Sequence, residues 1–538
     1  MSKRIIVILS VVLALVMAAG CGGSASSTDT PAGQTTATAP SGQTAAPVVE
    51  RSKTVTIGTN SKPTTLDPNN FRDYGSQAAI NMTYETLIAS THVGDPYRPY
   101  LAKSWDIAPD GKSWTFQLQE GVLWNNGDPF TADDVVFTVQ RLVDNKDTLV
   151  VYNQYLPDLE SAEKIDELTV KVNFSKPTPL AGNGFRCMFI IPQKAYEEYG
   201  DDLFNKQIMV GTGPWMLEEW VDGQYTHYLK NENYWDKANY DSYFDEVYVR
   251  YVVDDSAGVA AHLAGSFEAY FTSAGLSTDM TSLYDGAGNK TELRVVESNS
   301  TVWLGLNFKE GSIWHDENIR KAFDASIDRQ LILDTVMGGG AIPNGYLPAN
   351  MIGSDATLPK AVYDPDLAKE LLADSSYDGR EFGLMIGTNT TNEQLGLALA
   401  DMANAVGFNM KVELTDLSVF TPRQNSGDYD FFLINTAFPD GLPLRQLNRV
   451  VTNLDKSGYQ NDELFGIINH FLTELDETKR FDYAKQANRF IFENKGPQIS
   501  LFTKNVITPV DWGIIGVTYY PDGLWDYIHV DYDPSLIP

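Results

Sequence analysis

The chain has 538 residues, of which 43% are hydrophobic, and its 71 acidic against 40 basic side chains leave a net charge of −31. A surface of that sign repels phosphate, so nucleic acid and anionic lipid are excluded as electrostatic partners. The length exceeds what one hydrophobic core usually serves and predicts two lobes or more.

The first segment reads as a leader. Lys3 and Arg4 precede Ile5–Ala18, an uncharged apolar run of fourteen residues. A bilayer takes about 20, so the run matches the hydrophobic core of a signal peptide rather than a span. It ends in Ala18-Ala19-Gly20-Cys21, which resembles the bacterial lipobox, whose cysteine is acylated and becomes the new N-terminus. Losing Lys3 and Arg4 with the leader takes the net charge to −33. Residues 22–50 are almost wholly Gly, Ser, Thr, Ala, Gln and Pro, too polar to offset their ordering entropy. They read as a disordered tether with a reach on the order of 30 Å. The other cysteine, Cys187, lies in an apolar stretch and reads as a buried, inert thiol.

From Ser52 onward, strand-like and helix-like segments alternate. Trp114–Leu118, Leu168–Phe174, Glu246–Val252, Thr301–Phe308 and Ile499–Thr508 have the β-branched and aromatic alternation of strands. Thr131-Ala132-Asp133-Asp134 opens a helix over Val135–Val143 as a capping box with Asp for the usual Glu. Asp364-Pro365 supplies a cap and an N1 proline ahead of Leu367–Ala373. Between Phe382 and Asp440 the order is strand Phe382–Ile386, helix Glu393–Val406, strand Met410–Leu414, helix Leu417–Asn425 and strand Tyr429–Ile434. A βαβαβ run predicts a parallel sheet, with ligand beyond the carboxyl ends of its strands. That edge holds the loops Gly387–Asn392 and Asn435–Leu442.

Catalytic signatures are missing. The six histidines are scattered, and the sequence contains no G-x-S-x-G, Walker A or H-E-x-x-H motif. Gly211-Thr212-Gly213 and Gly338-Gly339-Gly340 lack the strand-to-helix setting of a dinucleotide site and read as turns. Asn125, Asn126, Asp128, Asp133 and Asp134 crowd together, but their spacing is not that of a calcium loop, so turn and cap duty is expected. The expectation is a binding protein, not an enzyme, with neither cofactor nor metal. Some of the 62 aromatic side chains should line a cleft.

Several ordered stretches resemble solute-binding protein family 5, the extracellular peptide-, nickel- and oligosaccharide-binding proteins of ABC importers. They are Thr64-Thr65-Leu66-Asp67-Pro68, Pro99–Trp105, Asp110–Phe116 and, longest, Leu118–Val135, which contains Trp124-Asn125-Asn126-Gly127. Gly211–Trp215, Asn231–Trp235, Ile319–Phe323 with Ile327-Asp328-Arg329, and Tyr363-Asp364-Pro365 follow. The resemblance implies an α/β, two-lobed periplasmic-binding-protein fold with a hinge, in the large peptide-binding cluster. Its first lobe would be discontinuous (51–90, 206–300 and 495–538), with a subdomain inserted at 91–205 and the second lobe at 301–494. It also implies a monomer, lipid-anchored through Cys21 outside the cytoplasm, that closes on a small solute and delivers it to ABC permease subunits.

Peptide is the ligand class the resemblance favours first. Dipeptide binders of the family hold the ligand's ammonium and carboxylate with an Asp and an Arg in the two strand-end loops. Those positions fall on Ala437 and Thr388 here. A buried charge left without its partner costs on the order of 3–5 kcal/mol, so a zwitterionic dipeptide held in that way fits poorly. A longer peptide gripped through its backbone fits better, and so does an uncharged oligosaccharide; a nickel chelate or another metabolite is a further alternative, as is a surface adhesin or peptide-sensing receptor. The site residues expected on this reading are Thr64 and Thr65 in the opening loop, and Thr388, Asn389, Phe438 and Asp440 in the strand-end loops. Asp440 or Arg445 stands near enough to replace a lost anchor. The same residue types also shape turns.

Overall fold

The computed structural model describes residues 52–89, 97–205, 208–272, 275–276, 278–285, 290–349, 351–436, 456–520 and 525–537. Cys21, residues 22–50, Phe438, Asp440 and Arg445 lie outside them. The architecture is mixed α/β. Ten strands organise it: β1 (Thr54–Thr59), β2 (Trp215–Val221), β3 (Tyr225–Lys230), β4 (Glu246–Tyr251), β5 (Ala269–Phe271), β6 (Thr291–Leu306), β7 (Phe382–Gly387), β8 (Met410–Thr415), β9 (Phe431–Thr436) and β10 (Gln498–Asp511). They lie in one sheet in the order β8-β7-β9-β6-β10-β5-β1-β4-β3-β2, and a short strand at Gly340–Ala341 adds to β10.

The predicted βαβαβ unit forms. β7 pairs in parallel with β8 on one side and β9 on the other, and helices Thr390–Val406 and Leu417–Ser426 make the crossovers. β7 reads Phe-Gly-Leu-Met-Ile-Gly and is buried on both faces, the pattern of a central parallel strand covered by helices. The predicted caps form too. Thr131 and Asp134 make a reciprocal capping box on helix Ala132–Asp144, and Asp364 accepts from Leu367 N with Pro365 at the first turn of helix Pro365–Ala373.

Away from the large sheet, Ala102–Ile107, Ser113–Leu118, Thr169–Phe174 and Leu159–Asp166 make a four-stranded antiparallel sheet in that spatial order. Trp114, Phe116 and Leu118 alternate inward, as do Val170, Val172 and Phe174, and helix Ala132–Asp144 packs on this sheet.

Two main apolar cores result. The first joins the antiparallel sheet to Val55, Ile57, Val247 and Val249 and takes in Val506 and Val510 of β10. The second holds Val302, Leu304 and Leu306 of β6, Leu384, Ile386, Phe431 and, from β10, Ile499, Leu501 and Phe502. A fully buried side chain of this size contributes about 1.5–3 kcal/mol, and β10, with β6 paired alongside it, passes from one core to the other. Cys187 is buried in the first. No helix among the described residues is long and apolar enough to cross a membrane.

Candidate functional site

The two passing strands define where the lobes meet. β6 and β10 are antiparallel along most of their length, with Glu297 opposite Asn505 and then Thr301 opposite Thr503. Three residues, Ser298, Asn299 and Ser300, therefore face Lys504 alone. Such a bulge interrupts the ladder and bends the strand. The Ser298 hydroxyl donates to Lys504 O at 2.9 Å and accepts from Ser300 N at 3.2 Å, which fixes the bulge. On the other flank Gly340 pairs with Lys504. A Cβ at Gly340, whose φ is +146°, would meet Thr503 O at 2.1 Å, so only glycine lets this short strand lie against β10.

Strand direction then places the site. β9 is antiparallel to β6, with Thr436 opposite Thr301, so the carboxyl ends of β9 and of its parallel neighbour β7 point at the bulge. In the other lobe, Ala269 of β5 is opposite Val510, and β1 runs parallel to β5. Their carboxyl ends, Phe271 and Thr59, point at the same place from the far side. Ligands of open α/β sheets bind at carboxyl edges, and here two such edges converge on one crossover. Ser300 Oγ donates to Asn435 Oδ1 at 2.8 Å and Trp303 Nε1 to Thr436 Oγ1 at 3.0 Å, which sets neutral polar groups along the rim.

Thr64 and Thr65 follow β1 on the first-lobe edge, and their backbone N–H groups donate to Ser76 Oγ at 2.9 and 3.2 Å. The Thr64 hydroxyl donates to Asp73 Oδ2 at 2.5 Å. Asp73 caps helix Tyr74–Asn81, so the pair is built into a helix start. Thr388 follows β7, is exposed, and donates its N–H to Thr415 O at 3.2 Å. Asn389 caps helix Thr390–Val406 by accepting from Asn392 N at 2.8 Å.

Most motif residues that carry the resemblance prove to be scaffolding. Asp67 takes Arg141 through two hydrogen bonds of 2.7 and 3.1 Å, joining the opening loop to helix Ala132–Asp144. Glu85 is buried and accepts from Tyr234 Oη at 2.9 Å and Trp235 Nε1 at 2.8 Å; burial outweighs these bonds and raises its carboxyl to about 7. Gly211 and Gly213 lie so close to the Met82–Thr83 backbone that a Cβ would sit 1.9 and 2.9 Å from carbonyl oxygens. Asp324 is buried between Arg329 and Lys495, with Lys495 Nζ at 2.9 Å. The crowded acidic group divides its work: Asp128 meets Lys194 at 2.5 Å, Asp133 meets Lys164 at 2.7 Å, and Asp134 accepts from Thr131 N and Gln193 N. Among the described residues no cluster of three or more His, Cys, Asp or Glu could hold a metal ion.

Sequence reasoning missed Ser298–Ser300 and Lys504, and took Asn435 and Thr436 as the start of a loop where they end β9. The first half of β6 alternates only briefly, at Leu293 and Val295, and then runs into buried polar Ser298 and Asn299, so no local pattern marked the bulge. Lys504 was visible as the single charge within the apolar run from Ile499 to Val510.

Comparison with known proteins fits this geometry. The model for bacterial extracellular solute-binding proteins, family 5 (middle), matches residues 96–458. The periplasmic oligopeptide-binding protein OppA of Haemophilus influenzae is 26% identical over 71% of this chain and 75% of its own length. The ABC transporter substrate-binding protein CtaP of Listeria monocytogenes superposes with a TM-score of 0.79 at 21% identity, covering 90% of this chain and 100% of that one. The oligopeptide-binding protein AppA of Bacillus subtilis, solved in complex with a nonapeptide, gives 0.70 at 21% identity over 89% of this chain and 99% of that one. These superpositions place the fold among two-lobed periplasmic binding proteins.

Proposed function

The chain belongs to the bacterial extracellular solute-binding proteins of family 5, and from that premise we propose that it captures an oligopeptide outside the cytoplasm and hands it to the permease of an ABC importer. The observation that carries the proposal is the convergence of two carboxyl edges on one paired crossover. Bending at the bulge of β6 brings the edges together, and a ligand that touches both edges shifts the population towards the closed form. The names of OppA and AppA favour peptide. The rim favours a peptide held through its backbone, because Thr388, Asn389, Asn435 and Thr436 are neutral donors and acceptors with no ionic anchor among them. Those same groups support one alternative, an uncharged oligosaccharide.

The lobe layout read from the sequence is kept in this proposal with one change: the core contacts of Ile499, Leu501 and Phe502 favour moving the second passage between lobes from 494–495 to Thr503–Asn505. Cys21 carries the lipid anchor, the protein acts as a monomer, and it binds without chemical turnover. The leader ending in Ala18-Ala19-Gly20-Cys21 supports the anchor.

Thermal unfolding with and without a random tetra- to octapeptide library tests the function, because a ligand at 100 times its Kd adds about 2.7 kcal/mol to the stability of the native state. A rise in Tm with peptides and none with oligosaccharides is expected. The reverse pattern would replace peptide by sugar, and no shift with either would remove the receptor reading.

A further inference from the structure

We propose that the Lys504 ammonium is the cationic anchor of the site and takes the terminal carboxylate of the bound peptide; this rests on the peptide reading above. On β10, residues 502, 504 and 506 share one face of the pleat. Phe502 belongs to the second core and Val506 to the first. The Lys504 side chain therefore leaves the strand at the seam between the two cores, where the converging edges also point. Its cross-strand neighbour Gly340 has no side chain to cover it, and Lys504 is only partly buried.

The charge is also uncompensated. Among the described residues no carboxylate, amide or carbonyl accepts from its Nζ, whereas several other cations between 301 and 495 are engaged. Lys495 meets Asp324 at 2.9 Å, Lys309 donates to Gly427 O at 2.7 Å, and Arg423 reaches Glu413 at 3.2 Å. Burial alone holds the Lys504 ammonium below the usual lysine range, and no neighbouring acid offsets it. A half-desolvated cation without a partner is costly to the empty protein, and an arriving carboxylate removes that cost. In a chain of net charge −31, such a group is a local exception. It also supplies what the loop at Thr388 lacks: the anion is met from the crossover strand rather than from the strand-end loop. The ligand class narrows to peptides with a free carboxyl terminus.

The test uses two random pentapeptide libraries, one of free acids and one of carboxyl-terminal amides, with retention by the purified protein read by ultrafiltration and mass spectrometry. Wild type should retain free acids at least about tenfold more tightly, the lower end expected for a hydrogen bond to a charged group. K504M should abolish that preference and K504R keep part of it, with each variant's unfolding midpoint measured in parallel. Equal retention of acid and amide by wild type, a comparison that needs no variant, overturns the assignment of Lys504 and leaves peptide binding standing. A preference that survives in K504M overturns it equally. Retention of neither library by folded wild type removes the peptide reading, and this inference with it.

Discussion

Glu85 offers the sharpest test of how the first core is held together. Its carboxyl is raised from 4.5 to about 7 because burial costs the charged form more than the hydrogen bonds from Trp235 and Tyr234 return. The unfolded chain gives up this proton near its ordinary value while the folded chain keeps it, so stability falls as pH rises from about 4.5 and levels off above about 7. At about 1.4 kcal/mol per pH unit, the full loss is about 3 kcal/mol. E85Q removes the titration and keeps the shape, with its amide oxygen accepting from Trp235 and its amide donating to the Tyr234 oxygen. Urea unfolding of wild type and E85Q at half-unit steps from pH 4.5 to 8.5 isolates the effect, since the other acidic groups cancel in the difference. Wild type should lose about 3 kcal/mol relative to E85Q across that range. A difference that stays flat with pH, or one that favours wild type at high pH, would refute the account of a carboxyl held neutral by burial.

Two further outcomes follow from groups the structure assigns to scaffolding. R141M strands Asp67 at the join between the opening loop and helix Ala132–Asp144, where both side chains are largely buried. A loss of about 3–5 kcal/mol is expected in chemical denaturation, and R141K should recover only part of it because a lysine cannot make the two-point contact. N389A removes the cap of helix Thr390–Val406 and should cost about 1 kcal/mol; N389D should restore stability, and peptide affinity measured by calorimetry on both variants separates capping from ligand contact.

The fold was legible where local chemistry and tertiary packing agree. The strands and helices between Phe382 and Thr436 have the apolar runs of a covered parallel sheet, and Thr131, Asp134 and Asp364 announce helix starts by hydrogen bonds within one turn. The crossover was half legible. Thr301–Phe308 and Ile499–Thr508 read as strands because both faces are packed, and the first of them ends at Leu306, whereas Thr291–Glu297 is half exposed and is held as a strand mainly by pairing with β10. Pairing between residues some two hundred positions apart leaves no local pattern. For the same reason Gly338-Gly339-Gly340 read only as a turn, although Gly340 is required by the carbonyl of Thr503. At the site, residue types at Thr64, Thr65 and Asn389 fit a polar cleft and a helix cap equally, and sequence alone does not separate the two.

The paired crossover has a genealogical consequence. Thr301 is paired directly with Thr503, so on the lobe boundaries proposed above the two ends of the second lobe stand one strand spacing apart, about 4.8 Å. A segment with adjacent ends can be lifted out and replaced by a homologous one without stretching its host. Recombination within 301–503 would thus transplant one whole jaw, with its rim loops, onto an unchanged partner. New selectivity can arise in such a protein by exchange of a module as readily as by point substitution.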